Sequence, residues 1–288
     1  MLDILTNFLT YIPFYAYALL LAFVGCLYYR KTCRFSFTEE LTVRDNPAFG
    51  VCLAGYLLGL VIALAAAFPA NAVSPLDAFI SMTYSGLLAI VLMRASIYVN
   101  GRFILSRFCI TDEMLRDRNV GTGFAVAGSS IATGLVLAGV LTGESDSYLL
   151  AVRDILLYWA LGQGLLIAGA ALFSATAGYD VHGSLEHHDN PATGASLGGF
   201  LVALGILLGA ILRNSSSSIV EELSIALIEV FVGGTLLLLS RFVTERLILP
   251  RVNFADEIAV QHNTAAGLIS ATASIVTALL VAAAVTVH

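Results

Sequence analysis

Ionisable residues inside apolar stretches are the first candidates for chemistry in this chain. Arg94, Asp154, Glu229 and Arg241 each lie within or at the end of a long apolar segment. Charges are costly in hydrocarbon and commonly mark an ion path. Glu229 lies about ten residues, or roughly 15 Å of helix, into its segment. We interpret these residues as candidates for a polar path. The alternatives are that the arginines reach the interface, that Asp154 stays beside Arg153, and that Glu229 forms a static pair.

Hydroxyl groups add a second set of candidates for this path. Ser130 and Thr133 belong to the run GSSIAT at 128–133, and Ser274 and Thr277 lie in and just after the run SATAS at 270–274. Such side chains can hydrate a pore, but they also bond to backbone carbonyls of their own helix.

Charged residues are concentrated between the apolar segments. One repeated set comprises Arg102, Arg107, Asp112, Glu113, Arg246, Arg251, Asp256 and Glu257. We interpret it as an interfacial stretch among lipid headgroups, with a charged gate or a docking face for a partner as the functional alternative. Neighbouring residues such as Asp112 and Glu113 do not face the same way on a helix, so a catalytic carboxylate pair is not predicted. No hydrolase, protease or nucleotide-binding motif is present, and we predict that the chain is not an enzyme.

His182, His187 and His188 precede the second of two Asn-Pro-Ala motifs. They are weak metal candidates, because no ligand spacing repeats and the matching loop FTEELTVRD has no histidine. We therefore predict neither a metal nor another cofactor.

The two motifs comprise Asp45, Asn46 and Pro47, and Asp189, Asn190 and Pro191. Proline suits the first helical position and a preceding asparagine can cap it, so each motif predicts the start of a helix. An anion-attracting entrance is the alternative. Aquaporins also carry two such motifs, on inverted half-helices. Here each motif begins an apolar run that is long enough to cross a membrane, so the half-helices of an aquaporin are not predicted.

The elements that must position these residues are membrane spans. The chain is 58% hydrophobic and 12% charged, with a mean hydropathy of +0.89, whereas soluble domains are about a quarter charged. Eight runs are long enough to span a membrane. They lie near 7–29, 47–68, 77–101, 119–141, 147–175, 190–212, 219–245 and 263–286.

Basic residues predict the orientation. Most of them fall between the first and second, the third and fourth, and the seventh and eighth runs. The positive-inside rule therefore predicts that these loops are cytoplasmic and that both termini are extracytoplasmic. The N-terminus has no basic leader, so we expect the first run to be a retained span.

An internal repeat fixes the architecture. A shift of 144 residues superimposes the Asp-Asn-Pro-Ala motifs, the Arg-Ile-Leu-Arg segments and the Asp-Glu pairs without a gap. We predict an all-α membrane protein of two four-helix repeats, 1–144 and 145–288. Because each repeat has an even number of spans, the two have the same orientation.

These motifs resemble those of the bacterial inner-membrane "domain of unknown function 350" family, in a tandem two-copy form. The resemblance implies the fold and a bacterial inner-membrane location, but no reaction. Some relatives are associated with membrane-stress genes, which suggests a cytoplasmic stress partner.

Two functions remain open from the sequence. The first is a channel or transporter for small ions, favoured by the intramembrane charges and hydroxyls. The second is a non-transporting scaffold or stress-sensing subunit that binds a cytoplasmic partner through its charged loops. Small residues such as Gly55 and Gly59 are compatible with a homo-oligomer. The bilayer is the expected environment, and no nucleic-acid partner is predicted.

Overall fold

Long apolar helices dominate the structure, a computed structural model that describes residues 2–68, 74–142, 147–213, 219–248, 250 and 252–285. Eight helices in this part are long and apolar enough to cross a membrane. They are α1 (Leu2–Thr32), α3 (Pro47–Ala66), α4 (Pro75–Phe103), α6 (Val120–Leu141), α7 (Tyr148–Thr176), α9 (Pro191–Ile211), α10 (Ile219–Ile248) and α12 (Thr264–Val285). The predicted eight-span, all-α fold is confirmed.

Four helices of six residues each were not predicted. They are α2 (Phe37–Thr42), α5 (Ile110–Leu115), α8 (Val181–Glu186) and α11 (Phe254–Ala259). Each follows the first, third, fifth or seventh span, so all four lie on one side of the bundle, which we call the short-helix side. Each also begins nine residues before an asparagine, namely Asn46, Asn119, Asn190 or Asn263. Each 144-residue repeat therefore contains two copies of a smaller unit, and the chain contains four. The unit consists of a first long helix, which we call the outer span, a short helix, and a second long helix, which we call the inner span.

The residue before each of these asparagines confirms the fourfold unit. Asp45, Arg118, Asp189 and His262 have φ angles of 47°, 55°, 47° and 54°. These are the non-glycine residues with positive φ in the described part of the chain. An L-residue pays roughly 1–2 kcal/mol for this left-handed conformation. The same turn is thus built four times from four different side chains.

The inner spans α3, α6, α9 and α12 pack side by side in a row, and the outer spans flank it. Glycine makes this packing close. A Cβ atom at Gly134 would meet the Gly59 carbonyl oxygen, and one at Gly128 would meet the backbone of Gly198. Helices α6 and α9 are mostly buried, while α1 and α10 expose most of the side chains that the structure describes. One hydrophobic core runs through both halves of the chain.

Candidate functional site

Asn46 is a structural cap with every polar atom engaged. Its Oδ1 accepts from the backbone amides of Ala48 and Phe49 at the start of α3. Its Nδ2 donates to the Glu40 carboxylate of its own short helix at 2.8 Å, and to the Met114 carbonyl of the following short helix at 2.9 Å. The asparagine therefore ties together two neighbouring units.

Asn119 and Asn190 repeat this arrangement. Asn119 Nδ2 donates to Glu113 at 2.9 Å and to the Leu185 carbonyl at 2.6 Å. Asn190 Nδ2 donates to Ser184 at 3.0 Å and to the Ile258 carbonyl at 2.7 Å. We call Asn46, Asn119 and Asn190 the bridging asparagines. All three are buried. The asparagine side chains of the two Asn-Pro-Ala motifs therefore do not face an open entrance for an anion. Pro47 and Pro191 follow these asparagines at the first helical position.

A cavity of about 340 Å³ lies between α1, α4, α5 and α6. Its charged lining residues are Arg94 and Arg102, and Asn100 and Ser129 form part of its polar wall. Arg94 donates from Nε to Thr32 Oγ1 at 2.7 Å and lies 5.5 Å from the Tyr29 ring centre. Burial raises the pKa of the Cys33 thiol against the opposing effect of Arg94. The thiol therefore adds no negative charge to the lining.

A buried polar cluster adjoins the cavity. Asn100 Nδ2 of α4 and Gln163 Nε2 of α7 both lie 3.4 Å from Thr133 Oγ1 of α6. Nearby, Trp159 Nε1 donates to Ser96 Oγ at 2.8 Å. Thr133 is the fourteenth residue of α6, roughly 20 Å along the helix axis. The cluster therefore lies well inside the bundle.

Three oxygen atoms in this region have no hydrogen-bond partner among the described residues: Asn100 Oδ1, Gln163 Oε1 and Ser130 Oγ. The three side chains are each 3% exposed. A buried polar atom without a partner costs about 1–3 kcal/mol. A water molecule or a polar ligand that binds to these atoms would remove this cost.

Sequence reasoning missed the amides of this cluster because it searched the spans for charges. A usable signal was present, since the counterparts of Asn100 and Gln163 at the 144-residue offset are Thr244 and Leu19. Each amide is therefore present in only one half of the chain, Asn100 in the first and Gln163 in the second. Because α7 belongs to the second repeat, the cluster forms between the two repeats and has no equivalent within either.

The structure separates most of the charged candidates. Arg94 lines the cavity, but Arg241 packs over the Phe173 ring at 4.3 Å. Asp154 pairs with Arg153 at 2.7 Å near the start of α7. Glu229 lies on α10, away from the cavity lining, and its Oε2 has no hydrogen-bond partner among the described residues. These four residues therefore do not form one continuous path.

The hydroxyl candidates also divide. Thr133 belongs to the polar cluster, although its Oγ1 also donates to the Ser129 carbonyl of its own helix at 3.0 Å, and Ser130 lies about one turn earlier in α6. In the other half, Ser274 Oγ donates to the Ser270 carbonyl at 3.0 Å and Thr277 Oγ1 to the Ala273 carbonyl at 2.9 Å. The second pair is thus bonded within its own helix.

The charged loops have several separate roles. Arg107 pairs with Asp180 across the two repeats at 3.3 Å, and Arg246 lies 4.8 Å from the Phe242 ring centre. Asp112 and Asp256 are exposed, whereas Glu257 accepts from Asn263 at 2.8 Å. Arg251 lies outside the described residues.

The pKa values on the short-helix side follow from local contacts. Burial raises the pKa of Glu113, while the hydrogen bond from Asn119 opposes that rise. The hydrogen bond with Arg116 lowers the pKa of Asp117, and the same contact raises the pKa of Arg116. Glu113 is therefore the carboxyl of this loop whose protonation is coupled to packing.

The histidines do not converge. His182 Nε2 lies 2.9 Å from the Ile104 carbonyl, His187 lies 3.9 Å from Glu186, and the His188 ring packs against His262. No group of three potential metal ligands forms among the described residues.

The fold and the cluster define a class: an all-α, multi-pass membrane protein made of tandem repeats, with polar groups buried among its spans. The profile of the family described as Domain of Unknown Function (DUF350) matches residues 2–141 and again residues 147–285. The chain belongs to this family and contains two tandem copies of its domain, as predicted.

A sequence relative supports the membrane location. The chain is 22% identical over 235 residues to a UPF0719 transmembrane protein of Aquifex aeolicus (strain VF5), an alignment that covers 81% of this chain and 84% of the relative. No solved structure matches the chain significantly.

Proposed function

We propose that this membrane protein is a channel or transporter for a small ion and has no enzymatic activity. The ion path begins in the cavity between α1, α4, α5 and α6 and continues to the polar cluster around Thr133. The observation that carries the proposal is the set of unpartnered oxygens on Asn100, Gln163 and Ser130. Polar groups inside spans commonly mark a substrate or ion pathway.

The cavity favours an anion as the ion. Arg94 and Arg102 are its charged lining residues, and none of the described residues that line it carries a carboxylate. A wall of one sign raises the local concentration of the opposite charge. Within the bundle, the donors for an anion are the Ser130 hydroxyl and the N–H groups of the Asn100 and Gln163 amides, whereas the unpartnered amide oxygens only accept and bind the water that accompanies the ion.

We place the short-helix side in the cytoplasm of a bacterial inner membrane. Arg102, Arg107, Arg116 and Arg118 all follow the third span on that side, and the positive-inside rule assigns such loops to the cytoplasm. Both termini would then be extracytoplasmic, and the cavity would open towards the cell interior.

The test is ion flux into liposomes that contain the purified full chain. The informative variants are Asn100→Thr and Gln163→Leu, because each installs the residue that the other half of the chain carries at the equivalent position. We expect each to lower the flux about tenfold, which corresponds to about 1.4 kcal/mol. Matched controls are Ser274→Ala and Thr277→Ala, which alter the equivalent hydroxyls away from the cluster and should leave the flux unchanged.

Sodium, potassium, chloride and nitrate should each be measured against protein-free liposomes. Chloride or nitrate flux that falls in the two cluster variants is the expected result. Flux of none of the four ions, or equal losses in the cluster and control variants, would overturn the proposal.

A second candidate, the non-transporting scaffold or stress-sensing subunit, is favoured by one observation. Exposed carboxylates occupy the same position on three short helices, as Glu39, Asp112 and Asp256, each seven residues before the cap asparagine. Such a row suits a basic surface on a soluble partner. Co-purification lost on Glu39→Lys and Asp112→Lys, but retained on Asp77→Lys on the opposite side, would support this role.

A further inference from the structure

The contact between neighbouring inner helices repeats three times in one register. In each case, a Cβ atom added to the glycine nine residues after the cap asparagine of one helix would meet the residue eight residues after the cap asparagine of the next. The pairs are Gly55 with Ala127, Gly128 with Gly198, and Gly199 with Ala271. The α3–α6, α6–α9 and α9–α12 contacts are therefore the same interface, built three times along the row.

The asparagine bridge follows the same order. Each bridging asparagine donates to a carbonyl of the next short helix: Asn46 to Met114, Asn119 to Leu185 and Asn190 to Ile258. Asn263 caps the last inner span and donates to Glu257 of its own unit. Among the described residues, Asn263 Nδ2 has no second acceptor on a following short helix.

The opposite end of the row has the complementary group. Leu41 in α2 is the counterpart of Met114, Leu185 and Ile258, and among the described residues no asparagine side chain donates to its carbonyl. Leu41 is 38% exposed, whereas Met114 is 5% exposed and Leu185 and Ile258 are fully buried. One end of the row thus carries a donor, the side-chain amide of Asn263 at the start of α12. The other end carries an acceptor, the carbonyl of Leu41 in α2.

Each terminal inner helix also exposes the face that the internal helices bury. On α12 the exposed face comprises Ala265, Leu268, Thr272, Val276, Leu279 and Ala283. On α3 it comprises Ala54, Leu58, Val61 and Ala65. Neither face contains an ionisable residue, so the two can pack together within a bilayer without burying charge.

We propose that these two faces bind each other between copies of the chain, so that α12 of one copy packs against α3 of a second copy. Asn263 then donates to the Leu41 carbonyl of the second copy and completes a fourth bridge. The register of the three internal contacts places Thr272 opposite Ala54 of the second copy. Such a head-to-tail contact produces a ring if the rotation closes, and an open row in the membrane plane if it does not.

The terminal faces differ from the internal ones in size. Val276 stands where α6 has Ala132, and Val61 stands where α6 has Gly134. Larger side chains hold two helices farther apart, so the contact between copies is wider than the contact within one chain. At the centre, Thr272 stands where the three internal contacts have Gly55, Gly128 and Gly199, so the copies are held farther apart there as well, while Ala54 opposite it remains small.

Disulfide formation in membranes tests the register directly. The background is the full chain with alanine at Cys26, Cys33, Cys52 and Cys109. Ala54→Cys and Thr272→Cys are introduced together in one chain, and separately in two differently tagged chains that are co-expressed. A disulfide forms where the Cα atoms lie within about 4.4–6.8 Å, and a short bismaleimide extends the reach.

The double variant should give a ladder of dimers, trimers and larger species, and the co-expressed single variants should give mixed dimers only. Thr272→Trp should shift the mass in nanodiscs towards one copy, while Phe231→Trp, on the exposed surface of α10, should leave the mass unchanged. Cross-linking of either single variant with itself would mean a symmetric contact and overturn the proposal. A single-copy mass in the unmodified chain with no cross-link would also overturn it.

Discussion

The side-chain amide of Asn119, which caps α6, donates a 2.6 Å hydrogen bond to the backbone carbonyl of Leu185 in α8. This bond crosses from the first family domain to the second. It has the same geometry as the bonds from Asn46 and Asn190, which join units within each domain. The boundary between the two domains is therefore bridged in the same way as the contacts inside them.

Asn119→Ala should destabilise the whole bundle, since it removes a helix cap and two buried hydrogen bonds. We expect a loss of about 2–3 kcal/mol in the free energy of unfolding. The control is Asn253→Ala, which removes an exposed cap of α11 and should cost about 0.5–1 kcal/mol. Denaturant unfolding in detergent measures both, and equal losses would show that the bridge contributes nothing.

Glu113→Gln should flatten the pH dependence of stability. Burial raises the pKa of Glu113 in the folded chain above its usual value of 4.5. The folded state therefore binds this proton more tightly, so the stability that it contributes is full below pH 4.5 and is lost as the pH rises through the folded pKa. Glutamine still accepts from Asn119 but carries no charge to desolvate.

Thermal unfolding between about pH 4 and 8 measures this effect, a range that begins near the usual pKa of a glutamate side chain. The variant should be at least as stable as the unmodified chain at the upper end of that range. The exposed neighbour provides the control, because Asp112→Asn should leave the shape of the profile unchanged. A variant with the same pH slope as the parent chain would contradict the assignment.

Gly134→Ala should destabilise the row of inner helices. The added methyl group would collide with the carbonyl of Gly59, a backbone atom that cannot move without separating α3 from α6. Overpacking of this kind costs about 1–3 kcal/mol. Gly164→Ala is the matched control, since nothing lies within 4 Å of its added Cβ atom and alanine is the better helix former. If both variants unfold alike, close packing at Gly134 is not required.

Arg94→Gln should weaken anion preference, because it removes one of the two charges that line the cavity. Arg94→Lys keeps the charge and should retain the preference, although it loses the Nε bond to Thr32. Glu229→Gln should leave the flux unchanged, since Glu229 does not line the cavity. The measurement is the chloride-to-potassium flux ratio in liposomes. An unchanged ratio in Arg94→Gln would exclude this arginine from selectivity.

Hydropathy and spacing determined a large part of this protein. The eight spans and their parity follow from the requirement that each span satisfies its own backbone in hydrocarbon, and the 144-residue repeat follows from the matched polar motifs. Pro47 and Pro191 also marked the starts of α3 and α9, because a helix start is a local event. The half-length unit is not evident from the sequence, because Asn119 and Asn263 are not followed by proline.

The tertiary structure decided which polar atoms meet. Asn100 and Gln163 lie 63 residues apart, and only the packing of α4 and α7 against α6 brings both to Thr133. The same packing turned the two Asn-Pro-Ala asparagines into bridges between units and left Glu229 away from Arg94. Helix formation depends on neighbours along the chain, whereas hydrogen-bond partners between spans depend on where whole helices cross. One sequence fixes the first directly and the second only through the complete fold.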